Sequence, residues 1–201
     1  CSATPSSQAV VIYGYWMAGG LMDPESQLGL SDFTAAALLR GSQQRSFQEI
    51  YDTLESVGAS LRFAGGTHTT FFSGQALAED LSLLLQTLAD GLRRPSFPPE
   101  QVERLRSQIL AGLAIRAQDT GYRAQQAFDQ LVYNGHPYSR PEDGTPETIQ
   151  TICTADLADF HRRAYGPHGL VLVVVGAIEP DRAIDQVAQA LGDWENPLQI
   201  T

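Results

Sequence analysis

The sequence predicts a domain that mixes helices and strands, α/β or α+β in class. Three observations lead there. Two runs, 8–17 and 170–175, carry the Val, Ile, Leu, Tyr and Trp of buried strands. Two further runs, 60–64 and 67–76, alternate or carry β-branched and aromatic residues around Gly65-Gly66, as the arms of a hairpin do. Between them lie stretches whose apolar residues recur at helical spacing behind recognisable caps.

Taken in order, the first strand ends in the turn Ala18-Gly19-Gly20. Leu28, Leu30, Phe33, Ala36, Ala37 and Leu39 then form a helix with little polar surface, between the turn-prone Asp23-Pro24-Glu25-Ser26 and Gly41. Such a helix must be buried. Ser46 N-caps a second helix, with Glu49 completing a capping box and Phe47, Ile50, Tyr51, Leu54 and Val57 along it, up to Gly58. After the hairpin, Leu81, Leu84, Leu85, Leu88 and Leu92 form one helical stripe, closed by Arg93-Arg94-Pro95. Pro98-Pro99 opens a long helical run through Val102, Leu105, Ile109 and Leu113 to Arg116. This run breaks near Asp119 to Gly121 and resumes through Ala127, Phe128 and Leu131, with the charges of an exposed face and the leucines of a packed one. Asn134-Gly135 and Asp143-Gly144 mark turns, and Thr145-Pro146 caps a short helix ending about Thr151. Thr154 caps the next, with Leu157, Phe160, His161 and Tyr165 along it. After the strand 170–175, ended by Gly176, Asp181 starts a last helix with Ile184, Val187, Ala188 and Leu191 inward.

Composition narrows the function classes. A chain of 201 residues, 43% hydrophobic and 18% charged, is one globular domain. Its net charge of −10 argues against a nucleic-acid or anionic-membrane surface, because phosphates require clustered cations. An acidic surface confers solubility and also suits basic peptides. Two cysteines, Cys1 and Cys153, are too few for a disulfide scaffold or a cysteine zinc site. Cys1-Ser2 has the form of a mature lipoprotein end, but an arbitrary first residue is the plainer reading. No apolar run reaches membrane-helix length, so a soluble protein is expected, cytoplasmic or periplasmic, with the compartment open.

Asp23-Pro24-Glu25, then Gly29-Leu30-x-x-Phe33, then Leu38-Leu39-Arg40-Gly41-Ser42 resemble the first helix of the insulinase and pitrilysin-type zinc peptidases, which include the mitochondrial processing peptidase. His136-Pro137-Tyr138, Asp156-Leu157-x-x-Phe160, and Tyr165-x-Pro167 running into the strand 171–175 resemble the close of the same family's first domain. In its catalytic members the first helix carries His-x-x-Glu-His, an inverted zincin motif that places two imidazoles on one helical face, with the Glu activating the bound water. The resemblance sets the first His on Asp32, the Glu on Ala35 and the second His on Ala36. The third ligand, a Glu, falls at or next to Gly112. All four positions lack the required side chain. The resemblance implies an α+β fold, a mixed and largely antiparallel sheet with helices mainly on one face, and a chain that is about half of a two-domain subunit. It also sets a strand before the first one here, so the chain is expected to begin inside its domain.

The remaining side chains offer no substitute chemistry. Asp32 without a second ligand four residues on reads as a capping or solvent-facing carboxylate. His68 reads as a strand-edge or hydrogen-bonded residue, and His161 and His168 lie too far apart for zincin spacing. Asp129, Glu142 and Asp143 read as solvated loop charges, and Ser73-Gly74 lacks the elbow of a serine hydrolase. The expectation is a non-catalytic domain that binds no cofactor itself and pairs with a homologous zinc-bearing subunit, as a heterodimer that walls a peptide chamber. Ser60, Leu61, Arg62, Phe63 and Ala64 are the candidate peptide contact. A purely structural assembly domain, comparable to respiratory core subunits, and an active peptidase with non-standard ligands are the alternatives.

Overall fold

A computed structural model of the chain describes residues 8–200; Cys1, and with it the lipoprotein reading, lies outside them. The strands are β1 (Ala9–Trp16), β2 (Ser60–Gly65), β3 (Thr70–Leu77) and β4 (Val171–Gly176). The helices are α1 (Leu30–Ala37), α2 (Phe47–Ser56), α3 (Leu81–Arg93), α4 (Pro99–Arg116), α5 (Thr120–Val132), α6 (Pro146–Thr151), α7 (Thr154–Ala164) and α8 (Pro180–Leu191). The sheet order is β2-β3-β1-β4, with every pairing antiparallel. The class is therefore α+β, and the sheet is wholly antiparallel among the described residues.

β1 shows why the sheet has one covered face. Val10, Ile12 and Trp16 are buried, and the alternate Val11, Tyr13 and Tyr15 are exposed. Helices α1 and α3 pack on the buried side, where Phe72, Leu81, Leu84, Leu85 and Leu88 join these residues in one core. Gly14 lies in mid-strand because a Cβ there would run into the Phe72 ring and the Val171 carbonyl. Trp16 meets Tyr165 edge to face, with ring centroids 4.8 Å apart, which joins the end of β1 to the segment leading into β4.

The second helix starts as expected, with Ser46 and Glu49 forming a reciprocal capping box. The hairpin turn is longer than Gly65-Gly66. Gly65 still pairs with Thr70, and the turn spans 66–69, because the carbonyls of Gly66 and Thr67 accept the N–H groups of Gly20 and Leu21.

Two helices differ in which side faces in. On α8, Ala183 and Leu191 are buried with Val187 beside them, whereas Ile184 is 59% exposed and Ala188 is also exposed. Val187 and Leu191 of the expected stripe thus face inward and Ile184 and Ala188 do not, Ala183 taking the inward place beside them, on a helix packed against α3. On α5 the difference is larger. Tyr122, Gln126 and Asp129 face the body while Phe128, Leu131 and Val132 face solvent, Leu131 at 81% exposure. No α5 residue is fully buried, so the leucine-packed face of the long run belongs to α4, through Val102, Leu105 and Leu113.

Candidate functional site

Helix α1 is placed by an acid outside it. Gly29 holds its N-terminal position at φ +88°, a conformation glycine adopts freely, and supplies no side-chain cap. Asp23 supplies it from a distance, accepting from the Gly29 and Ser31 N–H groups at 2.9 Å and from the Ser31 hydroxyl at 3.2 Å. Burial pushes the Asp23 carboxyl up to about 7 against those hydrogen bonds, with Asp32 adding a smaller push. The signal for this role was a helix whose cap position is glycine, with an aspartate in the turn before it.

With α1 seated, Asp32 points at the end of β2. Its Oδ1 accepts the Gly65 N–H at 2.9 Å, and a Cβ on Gly65 would lie 2.8 Å from the Asp32 Cα. Asp32 is therefore a half-buried tether between α1 and β2, and not the solvent-facing group expected. Burial raises its carboxyl above the usual range, opposed by the Gly65 bond; Asp143 and Glu142 push the same way and Arg116 opposes them. Ala36 lies on the same side of α1, and Ala35 is buried.

Across from α1, Gly112 on α4 has no side chain, and the nearest neighbour a Cβ there would meet is the Arg116 guanidinium, 3.9 Å away. Arg116 pairs with Asp143 and lies over the Tyr122 ring, 5.9 Å from its centroid. Asp143 is consequently an ion-paired residue and not a solvated loop charge, and Glu142 accepts from the Thr67 hydroxyl. Asp129 accepts from Gln125 at 2.9 Å. Sequence reasoning missed Arg116; its place in the last turn of α4, one turn beyond Gly112, was the available signal.

This donor set does not fit zinc. Around Asp32 the neighbouring positions are Ala35, Ala36 and Gly112, and the adjacent cation is a guanidinium. Among the described residues, no group of three or more His, Cys, Asp or Glu side chains is arranged to hold a metal. Two of the histidines, His68 and His136, lie against the Tyr138 ring. His68, in the hairpin turn, lies 2.8 Å from the Tyr138 hydroxyl. His161 meets the Leu92 carbonyl at 2.8 Å, and burial pulls its ring down to about 4 against that bond. His168 is exposed, in the loop before β4. Ser73 accepts from the Arg62 guanidinium at 2.8 Å on the open face of the sheet, away from any base.

The expected peptide contact, Ser60 to Ala64, forms most of β2, an edge strand. The Gly65 N–H points outward to Asp32, so by the alternation of an antiparallel pair the N–H and carbonyl groups of Leu61 and Phe63 also point outward. No strand among the described residues pairs with this edge. Beside it, a shallow hollow of about 330 Å³ is lined by Ser60, Leu61, Arg62, Ser73, Gly74, Gln75 and Val11.

The family model for insulinase, peptidase family M16, matches residues 2–141. The chain belongs to the insulinase family of peptidases. The model for the peptidase M16 inactive domain matches residues 151–200. Among curated relatives, an uncharacterised zinc protease of Mycobacterium leprae is 26% identical over 89% of this chain and 40% of its own length. Subunit 1 of the mitochondrial cytochrome b-c1 complex of Bos taurus is 28% identical over 90% of this chain and 38% of that one. A non-peptidase homologue, YmxG of Helicobacter pylori, is 26% identical over 86% and 40%. The crystal structure of a peptidase M16 inactive domain from Pseudomonas fluorescens superposes with a TM-score of 0.90, at 23% identity, over all of this chain and 49% of that one. The chain thus spans about 40% of the length of the curated relatives it matches. No helix among the described residues is long and apolar enough to cross a membrane.

Proposed function

We propose that this insulinase-family chain is a non-catalytic half-subunit that pairs with a homologous zinc-bearing subunit and helps wall a peptide chamber, with the outer edge of β2 as its peptide contact. One observation carries the reading: an unpaired strand edge lies beside a helix whose motif positions, Asp32, Ala35 and Ala36, hold no metal-ligand set. Losing the donors removes metal-bound water and with it the hydrolytic step. It leaves intact the backbone row that lets an extended peptide add to the sheet. The kinship with a non-peptidase homologue and with the inactive-domain model supports the same reading. Zinc then resides in the partner, and this chain binds no cofactor of its own.

The test is binding of a fluorescently labelled, unstructured peptide, followed by anisotropy, to the chain alone and with its copurified partner. Peptides N-methylated at every residue present no N–H to β2 on either edge and are expected to bind at least about tenfold more weakly. Roughly one zinc retained per chain after dialysis, or peptide hydrolysis by the chain alone, overturns the reading. A purely structural assembly role is favoured by the relationship to the cytochrome b-c1 subunit; stable pairing with no peptide affinity selects it.

A further inference from the structure

Cations gather where α3 and α8 end. All 13 Lys-plus-Arg positions of the chain are arginine, and three of them, Arg45, Arg93 and Arg94, line one hollow of about 220 Å³ with the amides of Gln44, Gln86 and Gln189. The dipole of α3 accounts for Arg93 and Arg94 at its C-terminal end. It does not account for Arg45, which reaches in from the loop before α2. Backbone bonds fix that loop on α3: the Gln43 N–H donates to the Arg94 carbonyl at 2.9 Å, and the Gln44 and Arg45 N–H groups donate to the Ser42 hydroxyl.

The guanidinium groups have donors to spare. Arg45 donates to the Thr87 hydroxyl at 3.2 Å and lies 3.1 Å from Asp90, which also lines the hollow, without the alignment of a hydrogen bond. Arg93 donates through one nitrogen, to the Ala190 carbonyl at 3.2 Å and to Asp193 at 2.6 Å. Arg94 is exposed, and its guanidinium makes no hydrogen bond or ion pair among the described residues. Each guanidinium is a fork of N–H donors, so most of those around the hollow have no protein acceptor. Asp193, with a side chain 77% exposed, shows what an anion meets here: Arg93, and more weakly Arg94, hold its carboxyl below the usual range.

We propose that this hollow binds a phosphoryl group, as the free ion or as a small phosphate ester, with Arg94 and Arg93 as its main contacts. The proposal is independent of the proposed function, since it uses neither the β2 edge nor the motif positions of α1. The hollow is smaller than the about 300–1,000 Å³ of a drug-sized site, which suits a compact anion. Guanidinium forks match phosphate oxygens two at a time. The net charge of −10 repels extended polyanions and leaves a small anion as the ligand that a local cluster of cations holds. Binding displaces Asp193 from Arg93, because both anions need the same donors.

The test is isothermal titration calorimetry of the full chain with inorganic phosphate and with glycerol 3-phosphate, in zwitterionic buffer at constant ionic strength. Saturable, equimolar binding is expected. Arg94→Gln, which removes a side chain that makes no bond in the fold, is expected to bind at least about tenfold more weakly. Arg182→Gln, at the opposite end of α8, makes the same change in net charge and is expected to leave the affinity unchanged. Asp193→Asn frees Arg93 and is expected to bind about twofold to fivefold more tightly. The absence of saturable binding, a loss in Arg94→Gln no greater than that in Arg182→Gln, or no gain in Asp193→Asn overturns the proposal. Tighter binding of inorganic phosphate assigns the free ion as the ligand, and tighter binding of glycerol 3-phosphate assigns the ester.

Discussion

Asp23 and His161 oppose each other in acid, and their cancellation is measurable. Asp23 titrates at about 7 when folded against an ordinary 3.8, so the folded state holds a proton the unfolded state has released. Its contribution is full below pH 3.8 and is lost as pH rises through 7. His161 titrates at about 4 when folded against an ordinary 6.5, so its contribution is full above pH 6.5 and is lost as pH falls towards 4. Acidifying from pH 6.5 to 4.5 then adds about 2 kcal/mol through Asp23 and removes about 2 kcal/mol through His161. The carboxylates whose titration is held low, including Glu49, Glu103 and Asp159, add a loss shared by every variant. The assay is urea unfolding at both pH values, read by the fluorescence of the buried Trp16 and Trp194. Asp23→Asn is expected to lose about 2 kcal/mol more than the parent on acidification, and His161→Gln about 2 kcal/mol less. Stability changes in both variants that parallel the parent within about 0.5 kcal/mol refute the assignment of these two groups.

Four further outcomes follow from packing and capping. Gly65→Ala, whose Cβ meets the Asp32 Cα at 2.8 Å, is expected to cost about 1–3 kcal/mol by forcing β2 from α1. Gly112→Ala, which meets only Arg116 at 3.9 Å within a helix, is expected to stabilise by about 0.5–1 kcal/mol; both are read from urea midpoints. Leu88→Ala removes a fully buried side chain from the core, for an expected loss of about 2–5 kcal/mol in thermal and urea melts. Ser46→Ala deletes one arm of the capping box of α2, and an expected loss of about 1 kcal/mol is checked the same way, with Glu49→Gln for comparison.

Most elements were legible because their signals are local. The β-branched and aromatic runs mark β1 and β4, the Ser46 and Glu49 pair marks the start of α2, and Leu30, Phe33, Ala36 and Ala37 at helical spacing mark α1 as a buried helix. Orientation was not local. The pattern of α5 shows an apolar side at Phe128 and Leu131, but which side turns inward depends on the loop it packs against, where Tyr138 and Arg140 favour polar neighbours. On α8 the small Ala183 turns inward while the larger Ile184 stays exposed, and the spacing of the apolar residues alone could not reveal it. At the site, the resemblance marked where donors are missing. It could not show that Arg116 folds back over Gly112 or that Asp32 holds Gly65, because both depend on distances across the fold.

The strand order carries a consequence for synthesis. β1 is central in the sheet, yet one neighbour is β3 and the other is β4, where Val10 pairs with Gly176. β1 thus completes its pairing only after β4, on the far side of α1 to α7 in the chain, has emerged. Closing so long a loop slows folding, since the entropy is lost before the pairing rewards it. During that wait Val11, Tyr13 and Tyr15 lie on an unfinished strand, a template for pairing with other nascent chains. Refolding from denaturant should therefore be slow and sensitive to protein concentration, and faster at high dilution.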